Sequence, residues 1–141
     1  MRLRRAYLAL HRRTNAELRR RFGVTADQFV VLNLLAERES SSQQDLCRRC
    51  GSDPSTLGAL VRLLENRGLV RRAADPADGR ARQVRLTRAG RTLQGELAAA
   101  AEASFHRDLW RAPRSEADAK ALAQSLDRIA AAMGDAIENR S

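Results

Sequence analysis

The chain has 141 residues, of which 43% are hydrophobic and 30% are charged, which fits one folded domain and excludes a disordered chain. Its 26 basic residues, only one of them lysine, outnumber 17 acidic residues and give a formal net charge of +9, which indicates a polyanionic partner. The apolar runs are too short for a membrane span or signal peptide, and two cysteines are too few for a disulfide scaffold, so we expect a cytoplasmic protein without membrane contact.

The positive charge is concentrated in two segments. Residues 1–22 carry a net charge of +7 and residues 71–91 carry +5, whereas the rest of the chain is slightly acidic. A solvated surface usually mixes its signs, so the second segment indicates a surface that binds a polyanion. The first segment fits either this role or the outer face of an amphipathic helix.

The first half of the chain has the periodicity of helices. Apolar residues at helical spacing predict an amphipathic helix over about residues 2–21, and Gly23 ends it. Thr25 is a suitable N-cap for a largely buried helix over residues 26–38. The following serines break the pattern, and one of them caps a short helix that ends near Cys50.

A fourth helix and a hairpin follow. Asp53 as N-cap and Pro54 at the first helical position begin the fourth helix, which ends near Gly68. Residues 69–72 and 83–87 alternate as two half-buried strands joined by a basic loop.

The pattern ends with a long helix over about residues 88–110 and a last helix that begins after Ser115. A helix–turn–helix followed by a two-stranded wing is an arrangement that places one helix in a DNA major groove and a basic loop beside it.

Three stretches of the sequence resemble one family in order and at matching distances. Residues 46–57 are similar to the helix–turn–helix of MarR-type regulators, and residues 63–72 are similar to that family's passage from recognition helix to wing. The most specific stretch is 75–90, with Asp-x-Arg at the wing tip and Leu-Thr-x-x-Gly at the start of the long helix. The resemblance covers nearly the whole chain.

The resemblance implies a mainly α-helical fold with a small two-stranded β-wing, an α+β winged helix–turn–helix. Residues 1–141 would form a single MarR-type domain, with a DNA-binding lobe over 23–90 and dimerisation helices over 1–22 and 91–141. It also implies a homodimeric repressor of a near-palindromic operator in double-stranded DNA, released by a small aromatic ligand or by cysteine oxidation. The apolar stripes of the terminal helices agree with a dimer.

The resemblance further assigns positions on the recognition helix, the preceding helix and the wing. The residues predicted to contact DNA are Gln43, Gln44, Ser55, Thr56, Arg62, Arg72, Arg80 and Arg82. Gly58 and Ala59 stand where the family usually has larger polar or basic side chains. We therefore expect Arg62 to be the one long donor on that helix face, with phosphates supplying much of the affinity. Asp78 is expected to hold the wing loop.

Four residues are candidates for an effector crevice, because the family forms its ligand site from the helices that carry them. They are Tyr7, His11, Phe29 and His106. A surface or interface role is the alternative for each histidine. The spacing suggests no catalytic triad and no carboxylate pair, so we expect no enzymatic activity, no cofactor and no metal.

Cys47 and Cys50 form a CxxC motif in the predicted short helix, and two interpretations stay open. They are small hydrophobic residues of the core, or an oxidation-sensitive pair whose thiolate pKa is lowered by Arg48 and Arg49. A thiol oxidoreductase is a further alternative, although no strand precedes the motif in a βαβ pattern. Zinc would need a histidine from a distant helix.

A basic protein that coats nucleic acid without sequence preference is the remaining alternative. Such a protein needs the positive charge but not the ordered wing signature, which therefore favours a sequence-specific regulator.

Overall fold

The computed structural model describes residues 1–74, 82–101 and 115–133. In chain order the elements are α1 (Arg2–Phe22), α2 (Ala26–Ala36), β1 (Ser41–Ser42), α3 (Gln43–Cys50), α4 (Pro54–Asn66), β2 (Val70–Ala74), β3 (Arg82–Leu86), α5 (Arg88–Ala100) and α6 (Glu116–Ala132). The chain divides into two units, Met1–Ala99 and Ala100–Ser141, and α6 belongs to the second. Within the described ranges, no helix combines the length and the apolar character needed to cross a membrane.

The helix boundaries follow the predicted capping residues. Thr25 and Gln28 form a capping box: the Thr25 hydroxyl accepts from the Gln28 N–H at 3.1 Å, and the Gln28 side-chain oxygen accepts from the Thr25 N–H at 2.9 Å. Ser42 caps α3 by accepting from the N–H of Asp45 at 3.1 Å. Gly23 ends α1 at φ 66°, a left-handed conformation that glycine adopts without steric cost.

The predicted two-stranded wing is present, and a third, very short strand extends its sheet. β2 and β3 form the antiparallel hairpin, and β1 pairs with the other edge of β3 to give the order β1–β3–β2. β1 consists of Ser41 and Ser42 alone, and two serines provide neither the alternation nor the β-branched side chains that identify a strand. Its pairing with Gln83 and Val84 is a long-range contact that the local sequence does not reveal.

A single hydrophobic core in the first unit fixes the helix–turn–helix against the sheet. Its fully buried side chains include Leu32 of α2, Leu46 of α3, Leu57 of α4, Val84 of β3 and Leu97 of α5. Full burial of each such side chain stabilises the fold by roughly 1.5–3 kcal/mol. Because α4 buries one face in this core, its opposite face is left at the surface.

Thr87 joins the end of the sheet to the start of α5. Its hydroxyl donates to the carbonyl of Gly68 at 2.7 Å and accepts from the N–H of Gly90 at 3.0 Å, and its N–H donates to the carbonyl of Leu69 at 3.0 Å. A Cβ added to Gly90 would lie 1.9 Å from the Leu69 carbonyl oxygen, so only glycine permits this approach. The Leu-Thr-x-x-Gly sequence is therefore a packing motif that holds the end of α4, the sheet and α5 together.

The helices at the two ends of the chain each expose a stripe of apolar side chains, as their periodicity predicts. Those of α1 are Leu3, Tyr7 and Leu10. Those of α6 and the residue after it are Leu122, Leu126, Ile129 and Met133. Spacings of three and four residues place each set on one helix face.

Replacing Gly90 with alanine should lower the free energy of unfolding by about 2–3 kcal/mol, because the added methyl group meets a backbone carbonyl that cannot move aside. Gly95→Ala is the matched control in the same helix. An added Cβ there has nothing within 4 Å, and the higher helix propensity of alanine should raise stability by about 0.5–1 kcal/mol. Urea unfolding measures both values, and equal midpoints for the two variants would contradict the packing motif.

Candidate nucleic-acid interface

The N-terminus of α4 is fixed by Asp53. Its Oδ1 accepts from the N–H groups of Ser55 and Thr56 at 2.9 Å each, and its Oδ2 accepts from the Thr56 hydroxyl at 2.6 Å. The hydrogen bonds from Thr56 hold the pKa of the Asp53 carboxyl below its ordinary value, so the cap is ionised at neutral pH. Ser55 and Thr56, two of the predicted DNA contacts, are exposed at this helix end. Thr56 already uses its hydroxyl proton on Asp53, so in this arrangement its hydroxyl can only accept a further hydrogen bond.

Gly58 and Ala59, two small residues on α4, differ in exposure. Ala59 is exposed as expected, but Gly58 is buried, and Nε2 of Gln43 lies 3.8 Å from the position of a Cβ added to it. Gly58 therefore lies where α3 packs against α4. Arg62, one turn further along α4, is exposed.

Gln43 and Gln44 are the first two residues of α3, beside α4. Gln44 is exposed, whereas Gln43 is half-buried where it covers Gly58. The N-terminus of a helix favours a phosphate oxygen, so their place in the fold agrees with a backbone contact. That contact stays a prediction.

Arg72 connects the wing to the recognition helix. Its backbone N–H donates to Oε1 of Glu65 at 3.2 Å, its Nη1 lies 3.5 Å from Oε2 of Glu65, and its Nη2 donates to the carbonyl of Gly58 at 3.3 Å. The Arg72 side chain is only 17% exposed. Arg72 thus braces β2 against α4 within the protein, and its predicted contact with DNA stays a prediction.

The remaining predicted contacts belong to the wing tip. Asp78 and Arg80 lie outside the described residues, and so does the side chain of Arg82. Their roles stay predictions. The two strands that lead to this tip are paired in register from Val70 opposite Leu86 to the last residue of β2.

One contact that sequence reasoning missed joins α4 to α1. Arg67, at the C-cap of α4, donates from Nη1 to the carbonyl of Gly23 at 2.7 Å and from Nη2 to the carbonyl of Phe22 at 3.4 Å. Both carbonyls lie at the end of α1, where backbone acceptors have no helical partner. The only signal in the sequence is an arginine at the end of a helix. That signal does not indicate that its partners are carbonyl groups more than 40 residues earlier in the chain.

The two arginines between Cys47 and Cys50 form ion pairs with acidic residues. Arg48 donates to Asp45 at 2.8 Å. Arg49 contacts Glu37, lies 3.9 Å from Asp45 and donates to the carbonyl of Leu34 at 3.4 Å. These contacts direct the two guanidinium groups towards carboxylates and weaken the expectation that they activate the thiols.

Cys47 and Cys50 are free thiols, half-buried against the core. Burial raises the pKa of Cys47, and the Asp53 carboxylate raises it further. Burial also raises the pKa of Cys50, with a smaller contribution from Cys47, and Arg49 opposes this only in part. A reactive thiol needs the opposite shift, so these directions favour the core interpretation. Among the residues that the structure describes, no group of three or more His, Cys, Asp or Glu side chains could hold a metal ion.

Two of the candidate crevice residues lie together. The ring centroids of Tyr7 and His11 are 5.7 Å apart, and Nε2 of His11 lies 3.4 Å from Oδ1 of Asp27 in α2. Phe29 is half-buried against the core, and His106 lies outside the described residues. The pairing of α1 with α2 therefore brings an aromatic ring, an imidazole and a carboxylate to one place.

Alkylation by iodoacetamide at about pH 8 should be at least about tenfold slower for both cysteines in the folded protein than in urea. Half-burial limits access of the reagent to the sulfur, and the raised pKa lowers the fraction of each thiol that is ionised. The folded-state rate should rise with pH through and above the ordinary thiol range, because the shift is upward. Mass spectrometry of the alkylated peptides follows each cysteine separately, with glutathione as the unshielded control. A folded-state rate equal to that of glutathione would refute the core interpretation.

Comparisons with known proteins agree with these features. Residues 8–81 match the sequence model of the MarR family. Transcriptional regulator HosA of Escherichia coli O111:H- is 40% identical over 70 residues, which cover 50% of this chain and 52% of that protein. HTH-type transcriptional repressor Rv2887 of Mycobacterium tuberculosis is 33% identical over 89 residues, 63% of this chain and 64% of that protein. The chain thus spans about half to two thirds of the length of these curated relatives.

The fold is similar to solved structures over almost its whole length. BpsR of Bordetella bronchiseptica, whose DNA binding is regulated by 6-hydroxynicotinic acid, has a TM-score of 0.74 and 26% identity, with 92% of this chain and 99% of that chain covered. The family match begins in α1, includes the whole helix–turn–helix and the first wing strand, and covers just over half of the chain. The chain therefore belongs to the MarR family, and it has the winged helix–turn–helix fold of that family's transcriptional regulators.

Proposed function

We propose that this protein is a homodimeric transcriptional repressor that binds a near-palindromic operator in double-stranded DNA. The observation that carries the proposal is the exposed face of α4. Ser55, Thr56 and Arg62 are exposed on a helix whose start is capped by Asp53 and whose flank is braced by Arg72. A helix fixed in this way can enter a major groove without first reorganising.

The charge of the wing segment supports binding to the DNA backbone. Residues 71–91 carry a net charge of +5, which includes Arg80 of the predicted wing tip and Arg82, the first residue of β3. Phosphate contacts from these arginines would position the protein, while α4 reads the groove. Because Ala59 adds no polar group to α4, direct base readout depends on Arg62, and groove shape supplies the rest.

The apolar stripes on the terminal helices support a homodimer. Leu3 and Leu10 of α1 and the four apolar side chains from Leu122 to Met133 would be costly to leave in water, and a second copy of the chain would cover them. A two-fold symmetric dimer presents two copies of α4, which is why the operator is expected to be an inverted repeat.

A small aromatic effector fits the Tyr7–His11–Asp27 group between α1 and α2. The imidazole and ring of this group offer a polar and a stacking contact to such a ligand. BpsR, which responds to 6-hydroxynicotinic acid, supports this ligand class. The ligand would release DNA by binding more tightly to a conformation that does not fit the operator. Release by oxidation of Cys47 and Cys50 has less support, because the pKa of each thiol is raised.

We further propose that the protein acts by binding and not by catalysis, in the cytoplasm where its DNA target lies. The relatives are named regulators and repressors, which supports this role. The alternative is a protein that coats DNA without sequence preference, and the following experiment distinguishes it from a sequence-specific repressor.

Selection of tight binders from a randomised duplex library at physiological salt tests the proposal. We expect an enriched inverted repeat whose half-sites lie about one helical turn apart. If the selected duplexes share no sequence, the result would favour a protein that coats DNA without sequence preference. The mass of the complex with the enriched duplex, measured by light scattering, should correspond to two chains, and a complex of one chain would contradict the dimer.

Arg62→Ala should weaken binding to the enriched operator and relax the preference at one base position, at a cost of about 1–3 kcal/mol, because Arg62 is the long donor on the exposed face of α4. Arg128→Ala is the matched control, since it removes the same charge from an exposed residue of α6. Fluorescence anisotropy with single-base operator variants measures both effects. An unchanged base preference in Arg62→Ala would remove Arg62 from direct readout.

A further inference from the structure

A pocket at the base of the wing plays no part in the proposed readout of DNA. It has a volume of about 420 Å³, and its walls include Glu39, Arg71, Arg85, Thr87, Arg88 and Arg91. We call it the basal arginine pocket. Its four arginines and one glutamate give the walls a net charge of +3.

Two of these arginines face each other across the wing strands. Arg71 of β2 is the direct partner of Arg85 of β3 in the antiparallel register. Residues paired in this way project from the same face with Cβ atoms roughly 4.5–5.5 Å apart, where like charges repel. An anion held between the two guanidinium groups would replace this repulsion with attraction.

Arg85 also has a buried donor without a partner. Its Nε is shielded from solvent, and no described residue accepts a hydrogen bond from it. Nε of Arg72 and Oγ of Ser41 have the same property, so this atom does not by itself indicate a ligand. Because the Nε is closed to solvent, an oxyanion in the basal arginine pocket would bind the other donors of the guanidinium group.

Glu39 does not neutralise the pocket. Within residues 1–74, 82–101 and 115–133, no ion pair joins Glu39 to any of the four arginines. Arg91 is held in place by a hydrogen bond from its Nη1 to the carbonyl of Leu86 at 3.2 Å. Arg71 and Arg88 are exposed, so their guanidinium groups are accessible to a ligand from solvent.

The chemistry of the walls fits a phosphate group. Guanidinium groups donate paired hydrogen bonds to phosphate oxygens. The tetrahedral oxygens of a phosphate can accept from β2, β3 and α5 together, whereas a carboxylate presents two oxygens in one plane. Thr87 and Arg88 place the start of α5 at the pocket, and its helix dipole adds a further attraction for an anion.

The basal arginine pocket is separate from the surface that faces α4. Side chains alternate along a strand, so Arg71 and Arg85 lie on the sheet face opposite to Arg72, whose guanidinium contacts α4. We propose that the basal arginine pocket binds a phosphate group, which comes either from the backbone of bound DNA or from a free phosphate-bearing ligand. Only the first of these sources rests on the proposed function.

Titration calorimetry with inorganic pyrophosphate tests the site directly, in a buffer without phosphate. Arg71→Gln and Arg85→Gln should each weaken binding by at least about tenfold, since each removes a charged donor. Arg19→Gln, which removes the same charge from an exposed residue of α1, should leave binding unchanged. Both pocket variants should keep the wild-type melting temperature or exceed it, because each removes one of two facing like charges.

Anisotropy with a mixed-sequence duplex at several salt concentrations distinguishes the two sources. If DNA supplies the phosphate, each pocket variant should reduce the slope of log K against log salt by about 0.9. If a free ligand supplies it, the slope should stay constant while pyrophosphate binding is lost. Unchanged pyrophosphate binding together with an unchanged slope would overturn the proposal. A protein that binds pyrophosphate in the pocket but no DNA would refute the proposed function alone.

Discussion

The carbonyl group of Leu69 is the point on which the arrangement of the winged helix depends. It accepts from the N–H of Thr87 at 3.0 Å and lies so close to α5 that residue 90 can have no side chain. This one approach sets the end of α4, the start of β2, the end of β3 and the start of α5 relative to each other. The hydrophobic core then fills the space beneath, but apolar burial alone would not define this geometry, because it has no preferred direction.

Side-chain contacts around α4 add to the apolar face that this helix buries in the core. Asp53 holds its first turn, Gln43 covers Gly58, and Arg72 reaches the Gly58 carbonyl from the wing. These contacts use side chains that could otherwise bind DNA, which leaves a short set of exposed groups dominated by Arg62. If the proposed function is correct, α4 offers few side chains for base contacts. Such a regulator would gain affinity from the backbone charge and depend on groove shape for its selectivity.

The features that could be predicted from the sequence are those that depend on neighbours along the chain. Caps such as Thr25 are identified because their partners lie within one turn, and the exposure of Arg62 follows from helical spacing. Strand β1, the burial of Gly58 and the bracing role of Arg72 could not be predicted, because each depends on a residue from another element. The same distinction holds for the candidate site. Its position on α4 and the wing can be predicted from local patterns, whereas the contacts that its side chains make within the protein cannot.

The hydrogen bonds from Arg67 to the last carbonyls of α1 have a mechanical consequence. They join the C-terminal end of α4 to the helix that carries Tyr7 and His11, through a side chain whose partners lie more than 40 residues earlier in the chain. Any movement that separates the end of α1 from the end of α4 must first break these two hydrogen bonds. It would then leave the last carbonyls of α1 to be satisfied by water alone.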